Sequence, residues 1–167
     1  MNGLTIIEAG GTDRSAIRAI EKAAFGRPDE ADLVEALVEN GDDALELVAT
    51  LDGVLVGHLL FSTLLVETPH RSFPAVALAP LAVHPDFQRQ GIGRALIEEA
   101  HRRLRAAGEG LSVVLGDPGY YGRFGYAHER AAGFDSDYQG EALQALAWSR
   151  EAPSAGRLVY APAFSGL

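Results

Sequence analysis

The chain has 167 residues, 47% of them hydrophobic and 22% charged, which suits one globular domain large enough to bury a core without staples. It has no cysteine, which excludes disulfides, a thiol nucleophile and cysteine-ligated zinc or iron–sulfur centres. Its net charge of −9 argues against a general nucleic-acid binder, whose footprint is basic. With neither an apolar run of membrane-spanning length nor a basic start leading into an apolar stretch, the expected location is cytoplasmic.

Leu4 to Glu8 reads as a first strand, broken by Gly10-Gly11. Thr12 or Asp13 can cap a helix through Phe25 with Ala16, Ile17, Ile20 and Ala24 inward. Gly26-Arg27-Pro28 interrupts, and a second helix from about Asp29 to Glu39 presents Leu33, Val34, Leu37 and Val38, with Asn40-Gly41 as its stop. Between Pro28 and Glu46 lie eight acidic residues and no Lys or Arg. That stretch reads equally as a solvated face and as a field drawing in a cationic amine. Leu45–Leu51 and Val54–Val66 form an antiparallel hairpin about Asp52-Gly53, a favoured two-residue turn pair. His58, in its second arm, has no ligand partner at metal spacing and reads as structural. Thr68 to Phe73 reads as a polar loop.

Val76 to Val83 is a near-continuous apolar run, typical of a strand buried on both faces. Pro80 within it removes a ladder donor, and a bulge there would splay this strand from its neighbour at Leu111. After His84-Pro85-Asp86-Phe87 comes Gln88-Arg89-Gln90-Gly91-Ile92-Gly93-Arg94, then a helix with Ile92, Leu96, Ile97, Ala100 and Leu104 on one face. The first turn of that helix offers unpartnered N–H groups and the positive end of its dipole. Gly91 and Gly93 let an anion approach closely, and Arg89 and Arg94 add charge. This anion cradle is neither a Walker loop, lacking Lys-Ser or Lys-Thr, nor a Rossmann fingerprint, having Leu96 at the third glycine position.

Ala107-Gly108 closes the helix, and Leu111 to Leu115 reads as a buried strand parallel to the previous one. A Gly- and Tyr-rich segment, Gly116 to Tyr126, follows. Leu143 to Trp148 fits strand or helix, and Leu158-Val159-Tyr160 reads as a closing strand. The arginines at 102, 103 and 105 read as a solvated face.

Gln-x-x-Gly-x-Gly after a buried strand resembles the pyrophosphate loop of the GNAT superfamily of acyl-CoA-dependent N-acetyltransferases. Tyr121, Gly125 and Tyr126 match the family's Tyr-x-x-x-Gly-Phe pattern, with Tyr in the last place. GHLLFS, LAPLAVHPDFQRQGIG, GDPGYYGRFGY and LVYAPAF read like the small single-domain bacterial branch, so the resemblance covers essentially the whole chain. It implies one domain over 1–167 with an α/β fold (α+β mixed sheet). The sheet would be splayed between its fourth and fifth strands, with helices on both faces.

The resemblance also implies acetyl-CoA as co-substrate, no metal, and an amine attacking the thioester directly. Gln88, Arg89, Gln90, Gly91, Ile92, Gly93 and Arg94 would hold the pyrophosphate, and the backbone of Leu81, Ala82 and Val83 would hold pantetheine and the thioester carbonyl. Tyr121 would be the general acid for the leaving thiolate. Asp117 stands where many members have a pantetheine-binding Asn, and Arg123 would reach a CoA phosphate. No carboxylate lies between Ala75 and Val83 to act as base, which leaves a water chain to His84, Glu67 or an acidic residue near Glu30. A non-catalytic acyl-CoA sensor is the alternative. Polyamine, amino acid, antibiotic, protein N-terminus and lysine are all open as acceptors, and homodimers are common in the family.

Overall fold

The computed structural model describes residues 3–166. In chain order the elements are β1 (Leu4–Glu8), α1 (Arg14–Phe25), α2 (Asp29–Glu39), β2 (Asp43–Leu51), β3 (Val54–Glu67) and β4 (Ser72–Val83). Then come α3 (Ile92–Ala106), β5 (Leu111–Leu115), α4 (Pro118–Tyr121), α5 (His128–Ala131), β6 (Phe134–Asp135), β7 (Leu143–Ala147) and β8 (Gly156–Tyr160). The sheet runs β1-β2-β3-β4-β5-β7, and only the β4–β5 pair along this path is parallel.

The hairpin at the centre of this order forms because Asp52 and Gly53 both take positive φ, 51° and 83°, as the tight two-residue turn demands. Its second arm, β3, is long enough to serve two partners on one side. β2 leaves it at Ser62, and β8 takes over from Leu64 to Glu67. Thr68 to Arg71 make the turn into β4, with the Thr68 hydroxyl accepting from the Arg71 N–H. Ser72 and Phe73, expected in the loop, already belong to the strand.

β4 carries the bulge expected at Pro80. Leu59 pairs with Leu81 and Phe61 with Leu78, so Leu60 alone faces Ala79-Pro80. β5 follows β4 through three pairs, Val76–Ser112, Ala77–Val113 and Leu78–Val114, and then the strands part. Among the described residues Ala79 to Val83 therefore have no strand neighbour on that side. This is the splay between the fourth and fifth strands.

Helix α3 covers one face. Ile92, Leu96, Ile97, Ala100 and Leu104 pack on Leu47, Leu59, Phe61 and Val76. Gly57 lets it lie close, since a Cβ there would stand 2.9 Å from Leu96 Cδ1 and 3.0 Å from Ile92 Cγ2. Helices α1 and α2 cover the other face, with Ile17, Leu33, Val34 and Leu37 on Val48, Leu60 and Phe164. Ala16 was expected inward but is exposed. The buried stripe of α1 is Ile17, Ile20 and Glu21, which the 3.6-residue period places one step away from it.

Glu21 is buried because His58 reaches it from β3. Both are fully buried, and His58 Nδ1 lies 2.7 Å from Glu21 while Nε2 lies 2.7 Å from Glu46. Arg14 closes the cluster on the other oxygen of Glu46. An imidazole facing two carboxylates is best satisfied as imidazolium, donating to both. Leu143–Ala147, ambiguous in sequence, is strand β7, pairing with β5 from Leu111–Ala147 to Leu115–Leu143. It covers an edge that would otherwise be bare.

Candidate functional site

The loop between β4 and α3 is built to point backbone at an anion. Arg89 and Gly91 are both left-handed, at φ 65° and 85°. Alternating such residues with ordinary ones turns successive N–H groups to one side, a concavity suited to anions. The Gln88 side-chain amide donates to the Val83 carbonyl at 3.0 Å, tying the loop to the end of β4. Gly91 is the N-cap of α3 and supplies no side-chain cap, so the first turn keeps its N–H groups free of one. Gly93 is buried, and a Cβ there would stand 2.8 Å from the Tyr120 hydroxyl.

A cavity of about 710 Å³ opens over this loop. Leu81, Val83, Gln88, Arg89, Gly91, Ile92, Gly93, Arg94 and Arg123 all line it. Gln90 is exposed in the turn but outside the lining, and Ala82 is buried opposite His58. Tyr120 and Phe124 also line it, which the sequence reading missed. Arg123 stacks over the Tyr120 ring at 4.9 Å, and Arg94 is paired with Glu98. Asp117 lies outside the lining. Its carboxylate accepts from the Gly119 N–H at 3.0 Å and caps α4, with Pro118 in the favoured first position.

A second cavity, about 610 Å³, opens where β4 and β5 part. Pro80, Leu78 and Val114 line it from the sheet, Tyr121 from α4, Asp29 and Glu30 from the start of α2, and Arg27 from just before it. Leu81 borders both cavities. The unpaired stretch of β4 therefore runs from one to the other.

Tyr120 and Tyr121, adjacent in sequence, are thus divided between the two cavities. Tyr121 is partly buried, with its ring edge-on to Tyr120 at 5.0 Å and to Tyr126 at 6.0 Å. Gly116 makes room for it, since a Cβ there would stand 2.5 Å from Tyr121 Cε2. Burial, and then Tyr120, push the Tyr121 phenol up to about 12, so it is a neutral O–H donor at physiological pH. Tyr126 is pinned instead. Its hydroxyl lies 2.8 Å from Ser112 Oγ and 2.9 Å from His101 Nε2. Burial, aided by Arg105, lowers His101 to about 4, leaving that imidazole neutral.

Of the bases considered from sequence, only the acidic residues near Glu30 reach the second cavity, which Asp29 lines and so does Glu30. Arg27 holds both its oxygens, at 3.0 and 2.6 Å, and keeps it below the ordinary carboxyl range. His84 lines neither cavity and accepts from the Asp86 N–H, and Glu67 sits at the far end of β3, opposite Ser72 and Arg157. Among the described residues no group of three His, Asp or Glu side chains could hold a metal, and no helix is long and apolar enough to cross a membrane.

The family model described as an acetyltransferase (GNAT) domain matches residues 5–128. The chain is 41% identical over 117 residues to the Escherichia coli (strain K12) protein called uncharacterized N-acetyltransferase YjhQ, an alignment spanning 69% of this chain and 65% of that one. Among solved structures, a GNAT family acetyltransferase from Brucella melitensis in complex with acetyl-CoA is 33% identical with a TM-score of 0.80, over 98% of this chain and 99% of its own. The Escherichia coli GNAT protein YhbS in complex with CoA is 30% identical with a TM-score of 0.87, over 97% and 92%.

Proposed function

Because the chain belongs to the GNAT acetyltransferase family, we propose that it moves the acetyl group of acetyl-CoA directly to a primary amine held in the second cavity. The observation that carries this reading is the unpaired run of β4 from Ala79 to Val83, which passes from the cradle to a second cavity containing Tyr121. An exposed strand edge binds an extended, amide-bearing chain by main-chain hydrogen bonds. The cradle fits a diphosphate, having uncapped N–H groups, two glycines without side chains and the guanidinium of Arg89. Both features suit the two parts of a CoA molecule.

Acetyl-CoA supplies an activated acyl group with a thiolate as leaving group. The residues Gln88 to Arg94 hold the diphosphate, and Arg123 lies at the same cavity for a further phosphate. Leu81 to Val83 hold the pantetheine arm through their backbone and turn the thioester carbonyl toward a main-chain N–H, which stabilises the oxygen as charge develops on it. The amine nitrogen bonds to the carbonyl carbon and gives its surplus proton to water, the carbon–sulfur bond breaks, and Tyr121 gives its phenolic proton to the departing sulfur. Solvent restores that proton. The proton carried by the incoming ammonium leaves through water, because the Arg27-bound carboxylate of Glu30 is too weak a base to take it. Asp117 acts on this site indirectly, by capping the helix that carries Tyr121.

The test is CoA thiol release with acetyl-CoA and a panel of amines, comparing wild type with Tyr121→Phe. The expected result is a fall in kcat of roughly 10²–10⁴-fold with acetyl-CoA affinity unchanged, the range for loss of a general acid. Acetyl-CoA binding without turnover of any amine would instead point to a sensor. Equal losses of affinity and turnover in Tyr121→Phe would mean that Tyr121 is a packing residue.

A further inference from the structure

We propose that the acceptor is a monoamine on a compact aromatic or branched aliphatic body, and that the second cavity excludes polyamines and peptides. The inference rests on the acetyl-transfer reading above and names the substrate class for that same site.

The walls decide the body of the ligand. Leu33 closes the α2 side, Leu78 and Pro80 the β4 side, and Val114 the β5 side. Opposite them runs a continuous aromatic wall. Tyr138 meets Tyr160 edge-on at 5.4 Å, and Tyr160 meets Phe164 at 5.6 Å. Phe164 is 9% exposed and forms the deep end, while Tyr138 at 39% and Phe25 at 42% stand at the rim. Among the described residues, the one row of backbone donors and acceptors here is the free edge of β4, which the pantetheine arm takes. A bound peptide would therefore leave its polar groups unpaired against these walls. Such a surface suits an apolar group, and its ring faces suit one organic cation.

The charges decide the number of cationic centres. The charged residues lining the cavity are Arg27, Asp29 and Glu30, all at one corner. Arg27 takes both oxygens of Glu30 and stands 3.8 Å from Asp29, so the three together carry one net negative charge. Asp32 and Glu35, further along α2, lie outside the lining and are both bound by Arg18. One ammonium is balanced there. A second or third, as in spermidine or an aminoglycoside, would have to lie against apolar wall without a counter-charge.

Two measurements test the proposal, using the full chain. The first is calorimetric binding, in the presence of CoA, of 2-phenylethylamine, 3-methylbutylamine, spermidine and an alanine-led tripeptide. The second is kcat/KM for the same four with acetyl-CoA. The expected result is that the two monoamines bind at least tenfold more tightly than spermidine or the peptide, and that kcat/KM follows the same order. Tyr138→Ala, at the rim, should raise the phenylethylamine Kd about tenfold without moving that of CoA. Spermidine or the peptide matching the monoamines overturns the proposal and leaves acetyl transfer standing. Monoamines that bind in this order but are not acetylated support the cavity assignment and overturn acetyl transfer. Monoamines that neither bind nor react overturn the proposal.

Discussion

Replacement of His58 by leucine takes away the group that stands between Glu21 and Glu46 inside the fold. Glu46 keeps Arg14, whereas Glu21 loses its one hydrogen-bond partner among the described residues, its second oxygen already having none. An uncompensated carboxylate in that position would cost about 3–5 kcal/mol. The variant can avoid part of this by keeping Glu21 protonated. At about 1.4 kcal/mol per pH unit, holding a proton on a carboxyl of ordinary value 4.5 costs about 3 kcal/mol at pH 6.5 and about 1 kcal/mol or less at pH 5. The deficit should therefore be about 2–3 kcal/mol at pH 6.5, a Tm lower by roughly 4–12 °C for a chain of this size, and should shrink on acidification. Differential scanning calorimetry at the two pH values measures it. Adding Glu21→Met to His58→Leu should recover most of the loss and abolish its pH dependence, because Glu46 still has Arg14. A deficit as large at pH 5 as at pH 6.5 would refute the reasoning and make His58 a packing residue.

The intact cluster has its own pH signature. Burial works to lower His58, but hydrogen bonds and charge from Glu21 and Glu46 outweigh it and hold the folded value above 6.5. The stability this gives is complete below 6.5 and is lost as pH rises through the folded value. Burial works to raise Glu46, but His58 and Arg14 outweigh it and hold the folded value below 4.5, so its contribution is complete above 4.5 and is lost as pH falls through that value. Glu21, raised by burial and only partly lowered by His58, opposes them by costing stability above 4.5. Turning to the site, Gly93→Val should weaken acetyl-CoA binding at least tenfold by calorimetry, since its Cβ would stand 2.8 Å from the Tyr120 hydroxyl and fill the cradle; unchanged affinity would place the diphosphate elsewhere. Gly116→Ala should lower kcat at least tenfold with little change in acetyl-CoA affinity, because its Cβ would stand 2.5 Å from Tyr121 Cε2 and displace that ring; wild-type turnover would remove Tyr121 from the chemistry.

Much of this architecture is legible in the chain because its causes are local. The Asp52-Gly53 turn, the stripe from Ile92 to Leu104 and the glycines at 91 and 93 act over a few residues, and each predicts its element directly. Pro80 likewise announces a break in the β4 ladder, since a missing N–H has the same effect in any sheet. The cradle is therefore legible in the sequence, and so is the place where β4 and β5 part.

Other features depended on which distant segments meet. The Leu143–Ala147 stretch has no decisive period, and it became a strand because β5 presented an unpaired edge. Tyr120 and Tyr121 are neighbours in composition and position, yet one faces the cradle and the other the second cavity, since a helical step turns successive side chains apart by about 100°. His58 read as a structural residue without visible partners because those partners lie 37 and 12 residues away in sequence, on α1 and β2. The aromatic wall likewise joins Phe25, Tyr138, Tyr160 and Phe164 from separate parts of the chain. The sequence by itself determined most of the secondary elements up to β5, the cradle and the family they resemble, because those follow from short-range sterics, periodicity and backbone hydrogen bonding. Tertiary structure alone decided the buried ionic cluster and the shape and charge of the second cavity, because contacts between remote side chains exist only after burial has closed the loops between them.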